Sequence, residues 1–151
     1  MTQEPAPASD NERAVTASTG EQGFLTEIVA AGHASLADEP ASVGGTDAGP
    51  SPYDLLSAAL ASCTSMTLQL YARRKELPLT RATVRVTHSK IHASDCAECE
   101  TKEGRIDEFK RQIVLHGDLD DDACQRLLKI ADRCPVHRTL SEEVRIVTTL
   151  A

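Results

Sequence analysis

The hydrophobic positions of this chain follow two periods, one helical and one alternating. From Leu55 to Leu70 nearly every residue is apolar or small. Leu55, Leu56, Ala59, Leu60, Cys63, Met66, Thr67 and Leu70 recur at helical spacing on more than one face, which predicts a long helix buried on most sides. Its start is well marked. Ser51 is a good N-cap, Pro52 suits the first helical position, and Asp54 completes a capping-box pattern with Asp in place of Glu. Leu77-Pro78 stops the helix. Ser57, Ser62, Thr64 and Ser65 interrupt the apolar run and Tyr71-Ala-Arg-Arg-Lys75 closes it, so the segment reads as a core helix rather than a membrane span. Ala58, Ala59, Ala61 and Ser62 around Cys63 would let a second helix approach closely.

The alternating period lies on both sides of that helix. Residues 13–19, 24–30 and 33–37 are short runs separated by Gly20, Gly23 and Gly32, which predicts a three-stranded antiparallel meander. The glycine-rich turn at 43–50 implies a backbone pressed close to something, either the core or a substrate pocket. Beyond the helix, residues 81–88 alternate with Ala82, Val84 and Val86 inward. A polar, acidic loop at 93–104 leads to a strand at 106–116 with Phe109, Ile113 and Leu115 towards the core. A helix at 121–131 presents a stripe of Ala123, Leu127, Ile130 and Ala131, with Cys124 taken as core packing beside Leu128. A short helix starts at Pro135, and residues 144–148 read as a closing strand. The order is β-β-β-α-β-β-α-α-β, an α+β chain with a disordered or loosely attached tail at 1–12 and one domain at 13–151.

Composition narrows the partners. A chain of 151 residues is most simply one domain and needs no staples to fold. A net charge of -7 argues against nucleic acid or an anionic membrane. The first twelve residues show no basic and apolar leader pattern, so the expected compartment is the cytoplasm. Five cysteines in a reducing compartment are then reactive thiols, metal ligands or buried residues rather than a disulfide framework. Cys63 taken alone would be an inert core residue, since free cysteine is among the most buried residue types. His88, His92, Cys96 and Cys99 form His-x3-His-x3-Cys-x2-Cys, with ligand types that suit tetrahedral zinc. That spacing is not a standard structural zinc pattern, and an exposed redox-active or idle CxxC is preferred, with no metal expected. His33 and His116 near turns are expected to be solvated.

Two stretches then act together: Gly49-Pro-Ser-Pro-Tyr-Asp-Leu-Leu-Ser-Ala-Ala-Leu-Ala-Ser-Cys63, and Cys134-Pro-Val-His-Arg-Thr-Leu140, with a two-strand segment between them. With these motifs, residues 13–150 resemble the OsmC/Ohr family of thiol-dependent peroxidases. The resemblance implies an α+β fold with two long central helices in an intertwined homodimer and two active sites at the dimer interface. It further implies Cys63 as the peroxidatic thiol, Cys134 as the resolving thiol, an organic hydroperoxide as substrate, an external dithiol as reductant, and no cofactor. The residue chemistry agrees, because a thiolate that cleaves a peroxide becomes a sulfenic acid, and a second thiol condenses with it. A free thiol is only about 3% ionised at pH 7, so a cation or donor must favour the thiolate. The family's support is an arginine from the N-terminal sheet and a carboxylate ahead of the cysteine. Here the nearest acid is Asp54, nine residues before Cys63, and Arg13 is the only arginine ahead of the helix. His137 and Arg138 beside Cys134 are the substitute cations. Leu55, Leu56, Leu60 and Met66 favour an alkyl or aryl peroxide. Two competing readings are a non-catalytic redox-sensing or metal-binding protein that works through the Cys96/Cys99 loop, and a small-molecule binding protein on the same dimeric fold.

Overall fold

The alternating runs pair as their spacing predicts. In the computed structural model, which describes residues 13–151, β1 (Val15–Thr19), β2 (Thr26–Ala30) and β3 (His33–Ala37) form an antiparallel sheet in the order β1-β2-β3. The tail expected at 1–12 lies outside the described residues. Ala31 and Gly32, both at positive φ, turn the chain from Ala30 to its partner His33, as a two-residue hairpin requires. The chain forms two compact units, one running through Leu55 and taking in Arg145–Ala151, the other Leu56–Val144.

In the first unit the glycine-rich turn closes around one carboxylate. Asp38, 2% exposed, accepts from the amides of Glu39 at 2.8 Å, Thr46 at 3.0 Å and Ala48 at 3.2 Å, and from the Thr46 hydroxyl. A Cβ on Gly45 would sit 1.7 Å from the Glu39 carbonyl oxygen, and one on Gly49 2.6 Å from that of Leu36. The turn is therefore pressed against its own backbone, the packing alternative of the two the sequence left open.

Helix α1 (Pro52–Arg74) begins in this unit and continues into the second. Its capping box is formed: Ser51 N–H and Oγ donate to Asp54 Oδ2 at 2.9 and 2.8 Å, and Asp54 N–H donates to Ser51 Oγ at 3.3 Å. Within the chain, α1 buries only the stripe Leu60, Thr64, Leu68 and Ala72. Burial on most sides is thus not met, and Met66 stays 70% exposed, with Leu56 and Leu70 also outside. By length and composition α1 could cross a membrane. Its middle instead makes polar contacts with a sheet, Ser65 Oγ donating to Ala82 O at 2.9 Å, as a core helix does.

That sheet is a long antiparallel hairpin of β4 (Leu79–His92) and β5 (Arg105–Gly117), each strand longer than its alternation suggested. The half-buried parity pairs Ala82 with Leu115, Val84 with Ile113, Val86 with Arg111, and His88 with Phe109. Helix α2 (Asp121–Ala131) is capped by Asp120, which accepts from Ala123 N–H at 2.7 Å, and buries the predicted Ala123, Leu127, Ile130 and Ala131. Helix α3 (Pro135–Ser141) follows, with Cys134 as its N-cap residue. The core gathers Leu68 and Ala72 of α1, Leu79 of β4, and Leu127, Ile130 and Ala131 of α2.

Two expectations need correction. Cys124 is half-buried, not core, and shares a shallow surface pocket with Ile113, Leu115 and exposed Leu128. The closing strand at 144–148 is not formed: among the described residues no strand pairs with this segment, and Ile146 is 85% exposed. Alternating apolar residues form a strand only against an open edge, and among the described residues this one has no partner.

Candidate active site

Cys63 sits half-buried in the middle of α1, one position before the buried Thr64. Cys134 occupies the turn between α2 and α3. Its amide donates to Ala131 O at 3.3 Å and its carbonyl accepts from Arg138 N–H at 3.1 Å, so the backbone fixes where its side chain points. Cys134 is fully buried. The structure brings the two thiols, 71 residues apart in sequence (134 − 63), near enough that each shifts the other's proton affinity.

The two thiols are not equivalent. Burial pushes the Cys63 thiol above its usual range, and Cys134 raises it further by accepting its proton and by like-charge repulsion. The Val136 amide and the Thr67 hydroxyl pull the other way without prevailing. Burial opposes the Cys134 thiolate too, but the Cys63 thiol, the His137 amide, the Thr64 hydroxyl and the Val136 amide together bring its pKa below the ordinary thiol value. As a neutral thiol Cys134 closes no capping bond on α3; those amides act on its charged form. Of the two, Cys134 is the thiol whose ionisation its surroundings favour, and Cys63 the one whose ionisation they oppose.

One cation next to this arrangement is not among those the sequence singles out. Arg111, its side chain 13% exposed, reaches from β5 to donate through Nη1 to Thr64 Oγ1 at 3.0 Å and Ala131 O at 3.1 Å, and through Nη2 to Asp132 Oδ1 at 2.7 Å. Thr64 Oγ1 also donates to Leu60 O at 2.7 Å. A signal for Arg111 was present in the sequence. It falls between Phe109 and Ile113 on the same parity, so the alternation that sends those residues inward sends Arg111 inward with them.

A cavity of about 200 Å³ is lined by Leu60, Asp107, Phe109, His137, Leu140 and Ser141. Leu60 is one turn before Cys63 on α1, and His137 one turn beyond Cys134. Asp107, at the polar end, accepts from Lys90 Nζ at 2.9 Å and pairs with His88 Nε2 at 2.7 Å, and Lys90 first, then His88, holds its carboxyl below the usual range. His137 also stands with Nδ1 3.9 Å from Asp132 Oδ1.

The remaining candidates lie elsewhere. Asp54 is engaged by Ser51 at the start of α1, and nine helical residues put it about 13 Å along the axis from Cys63. Arg138 points to Glu142 at 3.6 Å on the surface, and Arg13 is exposed before β1. The four-ligand zinc pattern is not assembled. Cys96 and Cys99 are joined as a disulfide in the loop between β4 and β5. His88 and His92 share a face of one strand about 13 Å apart, and the His88 ring rests on Phe109 with centroids 4.8 Å apart. Among the described residues no group of three or more metal-ligating side chains converges.

A family model described as OsmC-like protein matches residues 45–149, a span that holds both free thiols of the pair. The chain belongs to the OsmC-like family. Solved structures agree on the fold. The OsmC-like chain is 23% identical to a Psychrobacter arcticus protein named for an osmotic stress induced and detoxification response, with a TM-score of 0.67 over 87% of this chain and 90% of that one. It is 21% identical to an OsmC-like protein of Mycoplasma pneumoniae, with a TM-score of 0.67 over 88% and 89% of the two chains. With an organic hydroperoxide resistance protein OsmC of Legionella pneumophila it shares 18% identity and a TM-score of 0.62 over 88% and 91%. At these identities the likeness speaks for the α+β fold alone. No curated protein matches this OsmC-like chain.

Proposed function

We propose that this OsmC-like protein is a cysteine-based peroxidase that reduces organic hydroperoxides, Cys63 attacking and Cys134 resolving. The observation that carries the reading is the neighbouring, mutually coupled Cys63 and Cys134 thiols, each one turn from a residue, Leu60 or His137, that lines one cavity. The half-buried thiol is the one a substrate can reach. In the first step Cys63 reacts as the thiolate with Cys134 protonated, and attacks the terminal peroxide oxygen. The O–O bond breaks, and the alkoxide leaves as an alcohol with the proton from Cys134. Cys63 is then a sulfenic acid next to the Cys134 thiolate. Disulfide formation expels hydroxide, and an external dithiol restores both thiols. A cavity of about 200 Å³ with Leu60, Phe109 and Leu140 on one side and Asp107, His137 and Ser141 on the other has room for a small aryl or short alkyl hydroperoxide, since a void of about 150 Å³ already holds benzene.

The protein works as a homodimer. Met66, Leu56 and Leu70 on α1 and Ile146, Val147 and Leu150 in the C-terminal segment are exposed apolar residues that a second copy would cover.

The test is stoichiometric. Fully reduced protein mixed with one equivalent of cumene hydroperoxide should consume it and yield a Cys63–Cys134 disulfide by peptide mapping, with both events absent in Cys63→Ser. The double variant Cys96→Ser, Cys99→Ser should consume peroxide at the wild-type rate. Oxidation confined to Cys96 and Cys99 would instead favour the redox-sensing reading, which the Cys96–Cys99 disulfide on the connecting loop keeps in view.

A further inference from the structure

The two cysteine-bearing segments meet over one side chain. Arg111 stands within β5, opposite Val86 of the hairpin, and its side chain is 13% exposed. The two hydrogens of Nη1 go to different elements. One is donated at 3.0 Å to Oγ1 of Thr64, the residue directly after Cys63 on α1, and the other at 3.1 Å to the carbonyl of Ala131, the last residue of α2. A single nitrogen thus spans the gap between them. Ala131 O also accepts from the Cys134 amide at 3.3 Å, so the carbonyl that holds the guanidinium holds the turn of the second cysteine. Nη2 adds Asp132 Oδ1 at 2.7 Å, two residues before Cys134.

Neither segment needs this side chain in order to form. Thr64 Oγ1 has its own acceptor in Leu60 O at 2.7 Å, and the turn is closed by the Arg133 amide to Ile130 O at 2.9 Å together with the Cys134 amide. What the guanidinium adds is their relative placement. Leu68 and Ala72 of α1 share a core with Leu127, Ile130 and Ala131 of α2, but apolar burial is non-directional and tolerates sliding. A planar fork with fixed donor directions does not. That difference matters to a disulfide, which closes only over a Cα separation of roughly 4.4–6.8 Å.

We propose that Arg111 is a positioning residue that braces α1 against the Cys134 turn and sets the separation at which Cys63 and Cys134 close their disulfide. The inference rests on the peroxidase reading above for the use made of that bond. In peroxide turnover the Cys134 sulfur supplies the electron pair of the new S–S bond, the S–O bond of the Cys63 sulfenic acid breaks, and hydroxide leaves to be protonated by water. Against oxidised dithiothreitol the same bond forms by exchange: both protein thiols lose their protons and are oxidised, and the reagent is reduced to its dithiol.

The experiment uses that exchange and needs no peroxide. Full-length protein is equilibrated in dithiothreitol buffers of graded oxidation, and the Cys63–Cys134 fraction is read by alkylation and peptide mass. Arg111→Met should lower the equilibrium constant for this disulfide about tenfold or more, since a misplacement of about 1 Å costs up to about a hundredfold between reacting groups. Thr64→Val, which removes only the α1 arm, should lower it about fivefold, the equivalent of one hydrogen bond, and Thr64→Ser should match wild type. Arg111→Lys keeps the charge without the fork and should not recover the loss. Leu79→Ala, a core change on β4, should leave the constant unchanged although it destabilises the fold. A wild-type constant in Arg111→Met overturns the brace. Recovery in Arg111→Lys does so by assigning the effect to charge, and an equal fall in Leu79→Ala by assigning it to general packing. If Arg111→Met does not fold, Thr64→Val against Thr64→Ser decides in the same way. A wild-type protein that closes no Cys63–Cys134 disulfide also overturns the brace, whereas one that closes it but consumes no cumene hydroperoxide overturns the peroxidase reading alone.

Discussion

The Arg111–Thr64 contact makes an equilibrium prediction that needs no peroxide. Arg111→Met removes a buried guanidinium that serves two buried acceptors and one exposed carboxylate. Neither buried acceptor is wholly orphaned: Ala131 O still accepts from the Cys134 amide, and Thr64 Oγ1 keeps Leu60 O. Each loss therefore belongs at the low end of the range for an unmade hydrogen bond, about 1 kcal/mol. Asp132 returns to water at little cost, as exposed pairs contribute at most about 1 kcal/mol. Methionine fills much of the space and relieves the desolvation of the charge. The net destabilisation is about 2 kcal/mol. Thr64→Val loses its bond from Arg111, while the guanidinium keeps its other partners, for about 1 kcal/mol. The two changes share one interaction, so the double variant should be about 1 kcal/mol more stable than the sum predicts. Urea unfolding of the four proteins under reducing conditions measures this coupling. A coupling below about 0.3 kcal/mol, the scatter of independent sites, would refute an energetic link between Arg111 and Thr64.

Two further predictions concern the scaffold. The Thr46 hydroxyl and the amides of Ala48, Glu39 and Thr46 overcome the cost of burial and lower the Asp38 pKa from 3.8 to about 2. A depressed carboxyl stabilises the fold above its unfolded pKa and ceases to do so as pH falls through the folded one. Asp38→Asn should therefore lower the melting temperature at pH 7, with the deficit narrowing between pH 4 and 2; a deficit constant with pH would contradict this. Leu127→Ala, at a fully buried position of the core, should cost about 2–5 kcal/mol in urea unfolding with little change in slope; under 1 kcal/mol would mean that α2 is not packed as described.

Most of the element order was legible because each element carries a local signature. The capping box and Pro52 set the start of α1, and alternation set the hairpin. The closing strand failed because alternation specifies a face but not a partner, and the described residues offer Val144–Thr148 no edge to pair with. The burial of α1 was overread for a related reason: apolar residues on several faces show that a helix must be covered, not that its own chain covers it. At the site, the two cysteines are legible as motifs, whereas Arg111 is not, because adjacency in sequence reveals only the cations next to each cysteine. Strand register brings Arg111 opposite Val86 and under Thr64, 47 residues away. His137 and Arg138 were chosen by adjacency to Cys134, and only His137 faces the cavity.

The unequal exposure of the two sulfurs leaves the pair a single entrance. Cys63 is half-buried, while Cys134 has no surface at all. Anything that exchanges thiols with this protein, a dithiol reductant or a bulky alkylating agent, has to form its first bond with Cys63. Cys134 thus stays behind a screen, open to its neighbour rather than to bystanders in solution. A residue chosen for reactivity alone would be a hazard in a cell; enclosing it within the fold gives it a single customer.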